Sequence, residues 1–215
     1  MMHKRIFRFR VDLHVHTRRF SPCAETFDPL LLRPVLEKSR LDGLVITEHD
    51  HLWPADEIAR LNEGLRSKRI YRGVEVSSAN GHFIVIGLDG LDGIGPGVEV
   101  AALLSEARRQ QAAVIWAHPR LQYASLSTPL AGAAMPAGLD AIEVASSATC
   151  GKASKAARAL ARRMSCATVG GSDAHFPGQV GCAYTRLADL PENEKQLAAM
   201  IRKGVCHGRH RTRER

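Results

Sequence analysis

Apolar stretches of strand length alternate along this chain with stretches of helical period. Residues 10–17 alternate apolar and polar positions, and 28–40 has helical spacing. Residues 43–50 read as an apolar strand, followed by a helix over about 54–67 whose Pro54 suits a first turn. Residues 70–78 and 82–87 read as two strands joined by Ser78-Ala79-Asn80-Gly81, because Asn-Gly is a strong hairpin signal. A helix follows over 98–110 and a buried strand over 112–118. Residues 121–138 are rich in Ala, Ser, Pro and Gly and read as a loop. The remainder predicts strands over 139–146, 167–170 and 181–187, with helices over 152–164 and 192–203. Neither an internal repeat nor a linker interrupts the series.

Strand–helix alternation of this kind predicts an α/β protein with a parallel sheet, either open or closed. The polar positions decide between the two. Six short segments read as strand ends and carry metal-ligand side chains: Asp12-Leu13-His14-Val15-His16, Thr47-Glu48-His49-Asp50-His51, Glu75, His82, Trp116-Ala117-His118-Pro119 and Ser172-Asp173-Ala174-His175. Seven of the ten histidines lie in them, so the histidines are concentrated rather than scattered. A closed barrel brings all its strand C-termini to one mouth, whereas an open sheet spreads them along a line. The expectation is therefore a distorted barrel of about seven strands, in one domain over 1–215, with a basic tail from about 204.

Residues i and i+2 of a strand face the same side, so His14 and His16 are placed to clasp one ion, with Asp12 beside them. Asp173 and His175 repeat that spacing. In 47–51, alternation puts His49 and His51 on one side and Glu48 and Asp50 on the other, with His51 either a ligand or a solvated loop residue. Glu75 stands between Val74 and Val76, where an unpaired carboxylate is costly; it is either a metal ligand or part of a buried ion pair. His82 and His118 each end an apolar run. Nitrogen and oxygen donors without thiolates favour Zn, Mn or Fe, and the donors outnumber what one tetrahedral ion needs. Two ions can share and ionise a water near neutral pH.

Charge and cysteine content add little to this. The 215 residues hold 30 Lys and Arg against 22 Asp and Glu, a net charge of +8, with cations gathered at both ends. The ends read either as solvated tails or as an attraction for an anionic substrate such as nucleic acid. No zinc-finger, aromatic-rich RNA-binding or helix-turn-helix signal accompanies them. Five cysteines, without a C-x-x-C pair, predict a reducing cytoplasm. No apolar run approaches a membrane span, no signal peptide precedes the first motif, and no obligate protein partner is evident.

The order D-L-H-x-H-T, T-E-H-D, G-x-E, a following histidine, A-H-P and G-S-D-A-H resembles the PHP (polymerase and histidinol phosphatase) superfamily, over Asp12 to about Lys203. The resemblance implies a distorted (β/α)7, TIM-like barrel with two or three divalent ions that hydrolyses phosphoesters. By the same resemblance His14, His16, Glu75 and Asp173 hold one ion. Glu75 bridges to a second, held by His82 and His118, and His49 and His175 serve a third. Related chains often carry Asp or His where this one has Ser21; Cys23 or Glu25 then compensates, or the third ion is weak or absent. Asp12, Glu48 and Asp50 are expected to shuttle protons or fix ligand tautomers. Arg120, with Arg18 and Arg19, is expected to hold the phosphate. The expected substrate is a small phosphorylated molecule, a nucleotide or a short oligonucleotide. The alternatives are a catalytically weak binding module of the same fold and, ranked lower, a metal-dependent amidohydrolase. No strand-end lysine favours the latter.

Overall fold

The computed structural model describes residues 6–119 and 137–211. One nine-stranded sheet runs through it in the order β7-β6-β5-β4-β3-β2-β1-β8-β9. The strands are β1 (Phe9–Val15), β2 (Gly43–Ile46), β3 (Arg69–Ser78), β4 (Gly81–Ile86), β5 (Ala113–Trp116), β6 (Ala141–Ala145), β7 (Ala167–Gly170), β8 (Ala183–Leu187) and β9 (Cys206–His210). The helices are α1 (Leu32–Lys38), α2 (Ala55–Asn62), α3 (Val100–Arg109), α4 (Gly151–Arg163) and α5 (Glu194–Arg202). The sheet curls into a nearly closed barrel.

Alternating side chains build the inside and the outside. Val45, Tyr71, Ile84, Ile86, Ala113 and Ile115 meet in one cluster shared by strands from across the sheet, which marks their face as the interior. Their sequence neighbours Leu44, Ile46 and Ile70 pack outward with Leu32, Leu36 and Ile58 of α1 and α2. Val74, Val85 and Val114 pack outward with Leu103 and Ala107 of α3. Leu197, Ala198 and Ile201 of α5 join the interior cluster.

The sheet is mixed, which corrects the expectation of a parallel one. β1–β2, β2–β3, β5–β6 and β6–β7 are parallel, but β4 runs antiparallel to both β3 and β5, and β8 to both β1 and β9. The cause at β4 is the hairpin itself: Ser78 pairs with Gly81, so the chain reverses in two residues. The ninth strand is a second correction, because residues expected to begin a basic tail form β9 against β8. The predicted loop over 121–138 lies, up to residue 136, outside the described residues.

Two close approaches draw the edges together. At Gly208 a Cβ would sit 2.2 Å from the Val169 carbonyl oxygen, so β9 rests on β7 with only a hydrogen to spare. At Gly171 a Cβ would fall 2.4 Å from the His14 Cβ. That contact lets the chain leaving β7 pair with the upper half of β1: Asp173 N donates to His14 O (2.9 Å) and His16 N to Ala174 O (2.9 Å). The first and seventh strands thus meet at the rim, and Asp173 arrives beside His14.

Candidate metal centre

The interior face continues upward into polar residues. Glu75 shares the parity of Tyr71 on β3, and His82 that of Ile84 on β4. His82 opens its strand rather than closing it. Because β4 runs downward, its beginning lies opposite Ser77, at the rim where β3 ends. Ala117 N donates to His82 O (3.1 Å), which brings the end of β5, and hence His118, to the same place. Backbone strain gathers here. Among the described residues, five non-glycine residues have positive φ. Gln111 and Ser165 follow the ends of α3 and α4, and the other three, Asp50 (φ 52), His118 (φ 21) and Asp173 (φ 56), stand at the rim.

Glu75 is the hub. Its Oε1 lies 2.9 Å from His118 Nε2 and 3.1 Å from His82 Nδ1. Its Oε2 faces His49 Nδ1 (3.1 Å), His16 Nε2 (3.2 Å) and His14 Nε2 (3.4 Å). The residue is fully buried, and Oε2 has no aligned hydrogen-bond donor. A buried carboxylate oxygen without an aligned donor is costly unless positive charge faces it. The imidazoles around it are rings in near contact: centroids are 4.9 Å apart for His14 and His16, 5.5 Å for His14 and His118, 4.6 Å for His16 and His49, and 4.7 Å for His16 and His175.

These residues fit metal ions, and the fit rests on ring tautomers. His14 Nδ1 lies 3.1 Å from Glu143 Oε1, so a neutral ring donates there and turns a bare Nε2 inward. His16 Nδ1 contacts Ser21 Oγ (3.2 Å), which turns its Nε2 inward as well. The two Nε2 atoms then sit 2.9 Å apart, both within 3.5 Å of Asp173 Oδ1. Lone pairs crowd like this around cations. Four overlapping sets place their donor atoms within 4.8 Å of one another: His14, His16 and Glu75; His14, His118 and Asp173; His49, Glu75 and His82; and His16, His49 and His175. Burial alone would raise the Glu75 and Asp173 carboxyls, but His14 and the neighbouring imidazoles hold both below the usual carboxylate range. Burial likewise opposes charge on His14, and Glu75, Glu143 and Asp173 outweigh it.

All eight residues expected as ligands therefore converge: His14, His16, His49, Glu75, His82, His118, Asp173 and His175. The expected proton carriers do not join them. Asp12 accepts from the amides of His14 (3.2 Å), Ser172 (2.7 Å) and Gly181 (2.8 Å), and burial pushes it up to about 6. Glu48 accepts from Thr17 and from Trp53 Nε1 (3.2 Å), and Asp50 from the Ser77 amide (2.8 Å). Each braces backbone or packing instead. Arg18 pairs with Asp28, and Arg19 with Glu57 (2.7 Å). His51 is exposed and stacks on Phe20 (centroids 4.1 Å). Arg120 lies outside the described residues.

Glu143 fixes the His14 tautomer, and Ser21 orients the His16 ring. Glu143 is buried on β6, and besides His14 its Oε2 accepts from the His118 amide (2.9 Å), so one carboxylate holds two ligand-bearing strands. Its sequence signal was a carboxylate inside the apolar run Ile142-Glu143-Val144, the same as at Glu75. Ser21 also accepts from the His49 amide (3.1 Å). Cys23 and Glu25 are exposed and belong to none of the four sets. Replacing Glu143 by Ala is expected to weaken metal affinity about 10–100-fold. Titration of the metal-free variant with Mn, followed by calorimetry, checks this; unchanged affinity would leave Glu143 a purely structural residue.

One rim of the barrel thus carries six imidazoles, the buried Glu75 carboxylate and the partly buried Asp173 carboxylate, a donor set that could hold metal ions. The family model described as PHP-associated matches residues 151–206, from α4 to the start of β9. No curated protein matches the chain in sequence. Among solved structures, a two-domain protein from Bacteroides vulgatus containing a predicted PHP-like metal-dependent phosphoesterase is similar (TM-score 0.67, 18% identity, 94% of this chain and 64% of that one). PsfC from Pseudomonas syringae is similar too (TM-score 0.62, 22% identity, 96% and 93%). So is the lesion-specific endonuclease PfuEndoQ from Pyrococcus furiosus (TM-score 0.59, 16% identity, 93% and 57%). The chain thus spans under two thirds of the Bacteroides and Pyrococcus proteins. The match to the PHP-associated model is confined to residues 151–206, and the three solved structures share this chain's fold.

Proposed function

We propose that the chain is a single barrel domain over 1–215 acting as a metal-dependent phosphoesterase on a phosphomonoester or a nucleotide phosphodiester. The observation that carries this reading is the buried, unpartnered Glu75 Oε2 among inward-facing imidazoles. His14, His16, Glu75 and Asp173 would hold one ion, Glu75, His82 and His118 a second, and His49 and His175, joined by His16, a third. Bound there, two or three divalent ions (Mn, Zn or Fe) supply Lewis acidity and ionise a water near neutral pH. The chain's own residues do the rest. Glu143 and Ser21 keep ring nitrogens turned inward, and Glu75 and Asp173 stay anionic.

A cavity of about 490 Å³, lined by six of the ligand-type residues, opens beside them, ample for a nucleotide-sized ligand. The names of the Bacteroides and Pyrococcus neighbours support chemistry at phosphorus. Five free thiols support a reducing, cytoplasmic setting. No helix among the described residues is long and apolar enough to cross a membrane. The test is metal analysis of the purified protein, then phosphate release from nucleotides and simple monoesters with Mn, Fe or Zn. Metal-dependent release is expected. Bound metal without turnover of any ester would favour the binding module, and cleavage only of amides or lactones the amidohydrolase.

A further inference from the structure

We propose that the outer face of α4, with Arg209 of β9, is a track for the phosphates of a single-stranded oligonucleotide leading into the metal pocket. This rests on the phosphoesterase reading and narrows its substrate class. The first turn of α4 is part of the pocket wall, through Thr149 just before it and Ala153 within it. From there Lys152, Lys155, Arg158 and Arg162 recur at spacings of three, three and four, which puts them on one helical face. Ser154, Ala157 and Ala161 are the buried face. Lys152, Lys155, Arg162 and Arg209 are exposed, while the half-buried Arg158 donates to Gly208 O (3.0 Å), tying the stripe to β9.

Three features single this face out. No acidic residue occurs between Glu143 and Asp173, and among the described residues none of the five cations has an ion pair. Some exposed arginines elsewhere do, Arg18 with Asp28, Arg33 with Glu37, Arg60 with Asp56 and Arg109 with Glu106, whereas Arg66, Arg108 and Arg202 stand singly rather than in a row. The cations are close enough to repel, since Arg158 is lowered by burial and then by Arg209 and Arg162. Lys152 also stands in the first turn, near the positive end of the helix dipole, where a cation destabilises a helix, whereas Arg162 in the last turn is favoured there. Helix stability therefore does not account for Lys152 or for the mutual repulsion, whereas a polyanion offsets both costs.

The geometry selects among polyanions. Lys152 to Arg162 spans about 15 Å of helix, a length that follows several phosphates. A mononucleotide held in the pocket would leave the far cations unused. An anionic membrane calls for apolar side chains beside the charges. The exposed large hydrophobics among the described residues are Ile6, Leu30, Leu31 and Phe176, none on α4. Phe176 instead follows His175 at the pocket, where a half-exposed ring offers a base a stacking face.

The test uses the full chain carrying Lys155→Gln, Arg162→Gln and Arg209→Gln together. Binding of a fluorescent single-stranded oligonucleotide is followed by anisotropy across salt, with metal chelated. The track predicts an affinity about tenfold or more below the unaltered chain's, and a salt slope smaller by about 2, from roughly 0.7 per lost contact. Melting shows that the variant folds, and relief of repulsion should keep Tm level or raise it. With metal, KM for the oligonucleotide should rise while kcat holds, and the ratio of kcat/KM for oligonucleotide over p-nitrophenyl phosphate should fall. Equal affinity and slope for both proteins overturn the track, as does binding to phosphatidylserine vesicles but not to the oligonucleotide. Oligonucleotide binding without turnover of any ester refutes the phosphoesterase reading alone; ester turnover without oligonucleotide binding refutes the track alone.

Discussion

Replacing Glu75 by Gln is expected to empty the metal centre and lower kcat by roughly 10³-fold. The side chain keeps its shape, so the barrel should fold. Its charge goes, and one oxygen becomes an NH2 group. Glu75 faces five imidazoles, two through Oε1 and three through Oε2, and no other group in the rim reaches all of them. An amide cannot accept from two cations at once, so the loss should appear in metal content and rate together. Elemental analysis beside kcat measures both. A fully active, metal-replete variant would remove Glu75 from the bridging position.

Stripping the ions from the wild-type chain should cost stability as well as activity. A ligand that binds only the folded state stabilises it by about 2.7 kcal/mol at a hundred times its Kd. For a chain of this size that is about 5–10 °C in Tm. The structural reason is that without metal ions Glu75 Oε2 has no aligned hydrogen-bond donor, and the His14 and His16 Nε2 atoms face each other at 2.9 Å. Melting curves after chelation and after separate addition of Mn, Fe and Zn check the value and rank the metals. A Tm indifferent to every metal would mean that the rim is assembled without them.

Much of the fold is legible because periodicity is a strong signal: among the described residues the five helices and eight of the nine strands fall on stretches that the pattern predicts, overrunning them by one residue at most. Strand direction is not carried by periodicity. The Asn80-Gly81 turn announced the β3–β4 reversal, but only the assembled sheet shows that it puts the start of β4 at the rim. β9 gave no apolar signal because its buried positions are Cys206 and Gly208, the latter inside by virtue of having no side chain. In the site, histidines spaced by two and a carboxylate among valines pointed inward as expected. The acids beside them did not: Asp12 departs from the alternation, whereas alternation had already put Glu48 and Asp50 on the side away from His49. β1 shifts register between Asp12 and Val15, so Asp12 reaches backbone amides, and Glu48 and Asp50 reach packed side chains and the Ser77 amide instead of the pocket. Glu143 carried the same signal as Glu75, yet a lone carboxylate in a strand does not say which histidine lies across the barrel.

The central claim is that distant segments hold at least two cations around the Glu75 carboxylate. Anomalous diffraction from crystals of the Mn-loaded protein tests it most directly. The account predicts two or more separate peaks, with both oxygens of Glu75 engaged and His14, His16, His118 and Asp173 among the ligands. A single peak that leaves Glu75 untouched, or none at the rim, would contradict it.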